Sequence, residues 1–247
     1  MTFSDNRILY VLFMISSTKG VVLSFIKYKE SSIIVRVFTE QFGLRTYIVN
    51  SVRSARSKGK IALYQPLTIL DLEVYENKSK NIQRISEVKC HFPYRSIPFD
   101  ISKMTIAIFI SELLTKVLSD AGGENKGLYR FLETSLMHFD TMSVDVGHFH
   151  LQFMLKLSLY LGFQPYNIEE LLEQIEKETS KGVRYVFSTE DKQMLNELNE
   201  GNYDQTIDLP SVVRNVFLQL IIRYYQLHEE HLGNLKSLDV LREVFHT

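Results

Sequence analysis

The sequence predicts an α+β chain of two parts: a small closed β-barrel followed by an all-α helical bundle. Three observations carry this. Residues 19 to 90 hold five short segments of period two, separated by turn signals. From Ile101 onward the apolar period becomes helical. Pro93 and Pro98 punctuate the stretch between the two regimes.

The strands come first. After a run opening at Lys19, Ile33 to Thr39 alternates, with Ile34, Arg36 and Phe38 on one face and Val35, Val37 and Thr39 on the other. Leu44 to Asn50 repeats the pattern, with Arg45, Tyr47 and Val49 opposite Leu44, Thr46 and Ile48. Gln41-Phe42-Gly43 between them suits a tight hairpin, because Gly43 can take positive φ. Leu67 to Tyr75 sets Thr68, Leu70, Leu72 and Val74 on one face, and Ile82 to Cys90 supplies a fifth strand. Five short strands of this kind match the OB-fold, a five-stranded barrel that binds oligonucleotides.

The helices follow from caps and stops. Ser102 is expected to cap a helix running to about Ser119, and Gly122-Gly123 ends it. Asn125 caps a second, to about Asp140; a third runs from about Val146 to Leu161, stopped by Gly162 and Pro165. Asn167 with Glu170 has capping-box spacing for a short acidic helix, Val183 to Phe187 reads as a brief β-like run, and Ser188 caps Thr189 to Asn199. Pro210 opens the longest helix, to about Leu232, and Leu238 to Phe245 adds a last one. The expected organisation is an extension over 1–18, an OB-fold nucleic-acid-binding domain over 19–98 and a helical domain over 99–247.

That extension contains Ile8 to Ile15, eight apolar residues, far short of the ~20 that span a bilayer. Met14 offers a second start just before the first strand, so residues 1–13 read as an upstream mis-start or a disordered extension. No membrane association is expected, and a single cysteine, Cys90, fits a reducing, cytoplasmic setting.

Charge is divided between the two parts. Residues 19–98 hold 14 Lys/Arg against 6 Asp/Glu, whereas residues 99–247 hold 13 against 22, and the total is −1. A basic β-rich part suits a polyanion. The strongest local signal is the loop Arg53-Ser54-Ala55-Arg56-Ser57-Lys58-Gly59-Lys60, since no acid occurs between Glu40 and Asp71. Basic loops are often only solvated connections. Here the neighbouring strands add Arg36 and Arg45, and small residues let backbone N–H groups approach phosphates. Expected phosphate contacts are therefore Arg36, Arg45, Arg53, Arg56, Lys58 and Lys60. Phe38, Phe42 and Tyr47 are the candidate base stackers, at roughly 1–3 kcal/mol per base, although a barrel interior also needs large apolar side chains.

Chemistry-bearing motifs are missing. There is no phosphate-binding G-x-x-x-x-G-K-[ST], no G-x-G-x-x-G and no G-x-S-x-G. His228-Glu229-Glu230-His231 places two histidines at i and i+3 without a third ligand, and reads as a solvated helix end. His148 and His150 read as structural, and Cys90 as a small buried hydrophobe. No catalytic residue, metal or cofactor is expected. A binding protein is the better reading.

One resemblance sharpens it. The ordered pieces Glu30–Ser32, Val37–Glu40, Phe42–Arg45, Val52–Lys58 and Gln65–Leu67 resemble the N-terminal domain of the RecO recombination mediators. Similarity continues through Phe92–Pro98 and in the tail Leu235–Leu241. The resemblance implies the same OB-fold, binding of single- and double-stranded DNA, annealing of complementary strands and assistance to RecA loading. It implies two protein partners, RecR and the acidic tail of the single-stranded-DNA-binding protein; Lys116 and Arg130, beside apolar helix faces, are the candidate contacts for that tail. Many relatives carry a four-cysteine zinc knuckle in the helical domain; between Lys177 and Ser188 this chain has no cysteine, so that metal is not carried over. A protein-interaction or RNA-binding scaffold with an OB-like domain is the alternative.

Overall fold

The computed structural model describes residues 15–53, 59–77, 79–118, 123–143, 146–178, 187–205 and 207–245. Five strands, β1 (Ile15–Tyr28), β2 (Ser32–Thr39), β3 (Gly43–Val49), β4 (Ile69–Tyr75) and β5 (Ile82–Cys90), close into a barrel in the order β1-β2-β3-β5-β4. The strand alternation read from the sequence is what the barrel uses. Ile33, Val35 and Val37 of β2, Tyr47 of β3 and Leu70, Leu72 and Val74 of β4 point inward to one apolar core.

β1 begins at Ile15, so the barrel takes in residues 15–18, which the sequence reading assigns to the extension. Its first half pairs with β4 and its second with β2, and a bulge at Leu23 bends it between the two. Gly20 sits where both pairings overlap. A Cβ there would lie 2.5 Å from a Val37 methyl and 3.1 Å from Leu72, so only glycine lets the strand cross the packed interior. Gly43, at φ 67°, closes the β2–β3 hairpin as its sequence context requires.

Among the described residues seven α-helices follow: α1 (Ile101–Val117), α2 (Lys126–Thr141), α3 (Phe149–Leu161), α4 (Ile168–Glu178), α5 (Thr189–Glu200), α6 (Ser211–His228) and α7 (Ser237–Phe245). Caps account for most boundaries. Asn125 accepts from Leu128 N, and Ser188 forms a reciprocal box with Asp191. Several expectations shift, among them the longest helix, which ends at His228 rather than about Leu232 and has Pro210 as its cap. Asp100, not Ser102, caps α1. Glu170 N donates to Asn167 as expected, but the Glu170 carboxylate reaches back to Tyr166 N rather than closing the box on Asn167. Cys90 is exposed rather than buried, at the very end of β5. Residues 183–186 of the expected β-like run lie outside the described residues.

The barrel does not stand alone. Val21, Leu23, Phe38, Leu67 and Ile69 turn outward from it and join a second core with Ile106, Phe109 and Ile110 of α1 and the remaining helices. Polar contacts lock this junction. Ser111 on α1 donates to the Leu23 carbonyl exposed by the bulge. The buried Asp140 carboxylate at the end of α2 accepts the backbone N–H groups of Arg95 (2.8 Å), Ser96 (2.8 Å) and Ile97 (3.0 Å) from the connector. Burial pushes the Asp140 carboxyl up, but those bonds outweigh it and hold the group below its ordinary range. Lys103 of α1, also buried, donates to Ser96 Oγ at 2.6 Å and to the Asp140 carbonyl at 3.0 Å, and burial lowers its pKa.

Candidate nucleic-acid interface

The outer face of the barrel is divided by how the helices dock on it. On β2, outward residues are Ile34, Arg36 and Phe38, as the alternation predicts. Phe38 lies fully buried under the helices, and Arg36 Nη1 donates to the Thr115 carbonyl of α1 at 3.3 Å. Tyr47 points the other way, into the barrel, with no exposure. Its hydroxyl is 3.4 Å from Glu76, and burial together with that carboxylate raises its pKa. Phe38 and Tyr47 are thus core residues, not base stackers: a large ring inside either core cannot meet a base without unfolding it.

Of the three candidate stackers, Phe42 alone is partly exposed, packed at the rim of the barrel core with the Arg45 guanidinium 5.9 Å from its ring centre. Arg45 is paired with Glu76 at 3.4 Å. Sequence alone missed this, because Glu76 lies in a distant loop and reaches β3 only once the barrel closes.

The other cations gather near the opposite end of β2. Arg53 Nη1 donates to the Lys29 carbonyl at 3.3 Å, and Arg53 N donates to the Ser31 carbonyl at 3.0 Å, which seats the start of the basic loop on the β1–β2 turn. Lys60 is exposed where the loop re-enters the barrel. It borders a groove of 470 Å³ with Ile48, Asn50 and Arg84, opened because β5 pairs with β3 over three residues only, Ile82 to Arg84. Arg56 and Lys58 lie outside the described residues. Tyr28, at 36% exposure, stands beside this cluster with Lys29 Nζ 5.4 Å from its ring centre. The sequence leaves Tyr28, with Lys27 and Lys29 near the end of the first strand, open between packing and contact; its position at the end of β1 exposes it.

The β1–β4–β5 side of the barrel is different. There Glu40, Asp71, Glu73 and Glu87 accompany Lys19 and Lys89 around a groove of 330 Å³. Lys19 is paired with Glu133 of α2 at 3.0 Å, and His91 bridges Asp71 and Glu133 at 2.9 and 3.4 Å. Such a surface repels phosphate. In the helical part Lys116 donates to the Leu232 and Asn234 carbonyls and so serves the α6–α7 turn, whereas Arg130 is exposed. His148 and His150 are buried, and His228 stacks on Phe163 at 4.7 Å. Among the described residues no group of three or more His, Cys, Asp or Glu could hold a metal, and no helix is long and apolar enough to cross a membrane.

Comparison with known proteins agrees with this architecture. Residues 14–94 match the family model described as recombination protein O N terminal, and residues 98–170 match recombination protein O C terminal. The DNA repair protein RecO of Flavobacterium psychrophilum is 36% identical over 235 residues, covering 92% of this chain and 98% of that protein. That of Bacteroides fragilis is 32% identical, covering 94% and 100%. A more distant relative, from Chlorobium phaeobacteroides, is 30% identical over 62% of this chain and 58% of its own. With both halves of the family matched and nearly the full length aligned, the chain belongs to the RecO family of DNA repair proteins.

Proposed function

We propose that this protein binds single- and double-stranded DNA through its barrel, anneals complementary strands and assists loading of RecA during recombinational repair. The observation that carries the reading is the segregation of charge. Lys29, Arg53, Lys60 and Arg84 border one end of the barrel, with Glu87 at the edge of the Lys60 groove, while Glu40, Asp71, Glu73 and Glu87 line its β1–β4–β5 side. Cations in that position neutralise phosphates and release counterions; two strands held there repel each other less, and their bases pair. Annealing makes and breaks no covalent bond, so the work requires no nucleophile, general base or metal. Family membership favours RecR and the acidic tail of the single-stranded-DNA-binding protein as partners, in the bacterial cytoplasm.

Within this reading Arg53, Arg56, Lys58 and Lys60 are the principal phosphate contacts. Arg45 and Arg36 contribute less, since each is already engaged by Glu76 or by the Thr115 carbonyl. Titrating single-stranded DNA against salt should give a log–log slope of about −3 to −4 if roughly five phosphates are engaged. Replacing Arg53, Arg56, Lys58 and Lys60 together by Ala should reduce that slope and weaken binding across sequences. A flat salt response, or unchanged binding by the fourfold variant, would reject the assignment.

A further inference from the structure

We propose that unpaired bases rest on a row of isoleucines across the outer sheet face, and that this row makes the protein distinguish single strands from duplex. The inference rests on the DNA-binding reading above and assigns it a second, separable component. Ile26 on β1 lies opposite Ile34 on β2, Ile34 opposite Ile48 on β3, and Ile48 opposite Arg84 on β5. In the adjacent row Ser24, Arg36, Thr46 and Ile82 align in the same way. Ile26 is 63% exposed and Ile82 44%, Ile34 and Ile48 are half-buried, and none of the four joins either apolar core.

A folded chain gains nothing from such side chains facing water. A contiguous apolar surface of this kind marks a contact, and its surroundings identify the contact as nucleic acid. The row ends on Arg84, Tyr28 stands at its margin beneath Lys29, and Arg53 and Lys60 border the same end of the sheet. On the other side α1 closes the face through Arg36 and Thr115. An apolar strip rimmed by cations suits a polyanion whose apolar faces are available, and only an unpaired strand qualifies. In duplex the base faces are stacked on each other, leaving phosphates for the rim alone. At about 4.8 Å per strand the three isoleucines span roughly 10 Å, and Arg84 extends the row to roughly 14 Å, room for about four stacked nucleotides at about 3.4 Å each. That matches the smallest site sizes of about four per OB-fold.

The test measures affinity of the full chain for a labelled 20-nucleotide strand and for its duplex, by fluorescence anisotropy. Ile26→Gln with Ile48→Gln should weaken single-strand binding about tenfold, the size of losing a base contact, and leave duplex binding within about twofold. Ile26→Gln alone, at an exposed position, keeps the test valid if the double variant does not fold, and should lose about threefold on single strands only. Unchanged single-strand affinity in Ile26→Gln and in a folded double variant would overturn the proposal and turn the row into a protein-docking face. Equal loss on strand and duplex would overturn it too. The rim variant of Arg53, Arg56, Lys58 and Lys60 should weaken both forms. If that variant is unaffected while the isoleucine variants lose single-strand binding, the rim assignment fails and the row stands.

Discussion

Phe38 and Ile34 share the outer face of β2, yet one is a core residue and the other borders open surface. Helices α1 and α2 dock over the Phe38 end, where the Leu23 bulge and the Asp140 clamp hold them. At the Ile34 end nothing among the described residues covers the sheet, and the cations gather beside it. The comparison separates two meanings of an outward residue. Alternation decides which face a side chain takes; only docking decides which part of that face remains for a ligand.

The sharpest way to break the comparison is to truncate one residue from each end. Phe38→Ala removes a ring from a packed junction and should destabilise by about 3–5 kcal/mol. Ile26→Ala, on the open part, should change stability by less than about 0.5 kcal/mol. Urea unfolding of both variants checks this; similar losses would mean the two ends are packed alike.

Weakening the clamp comes next. Asp140→Asn removes a charged acceptor of three backbone N–H groups and should destabilise by about 2–3 kcal/mol. The pH dependence follows from the sign of the shift. Asp140 has a folded-state pKa below its ordinary value of 3.8, so its contribution is present at neutral pH. It disappears as pH falls through the folded-state value. Melting temperature followed from pH 7 to pH 2 should drop less steeply at the acid end for Asp140→Asn than for the natural protein. Parallel curves would show that the clamp is not charge-based.

A third test concerns the strand that serves both ends. Gly20→Ala places a methyl 2.5 Å from Val37 and should destabilise by about 1–3 kcal/mol through overpacking. Thermal unfolding reads it directly, and a neutral result would mean that β1 can shift at its crossing.

Much was legible beforehand because its causes are local. The faces of β2, β3 and β4 follow from period two, the hairpin from Gly43, and the caps at Asn125 and Ser188 from short polar side chains before helical runs. The family signature is equally local, a series of short ordered segments. Misreadings arose where a residue's role depends on distant chain. Tyr47 and Phe38 carry the composition of base stackers, and each fills a different core. Cys90 resembles a buried thiol and ends an exposed strand. Tyr28, which the sequence leaves open between packing and contact, is exposed at the end of β1.

The amino-acid order by itself determined the five strands, the helical half, the separation of basic from acidic charge and the family. Each is a property of neighbours along the chain, set by side-chain period, backbone preference and composition. Tertiary structure alone decided which isoleucines line up across three strands and which cations are already paired. It also decided which stretch of the barrel the helices leave open. Those depend on register and docking, where residues far apart in sequence meet and compete for the same surface.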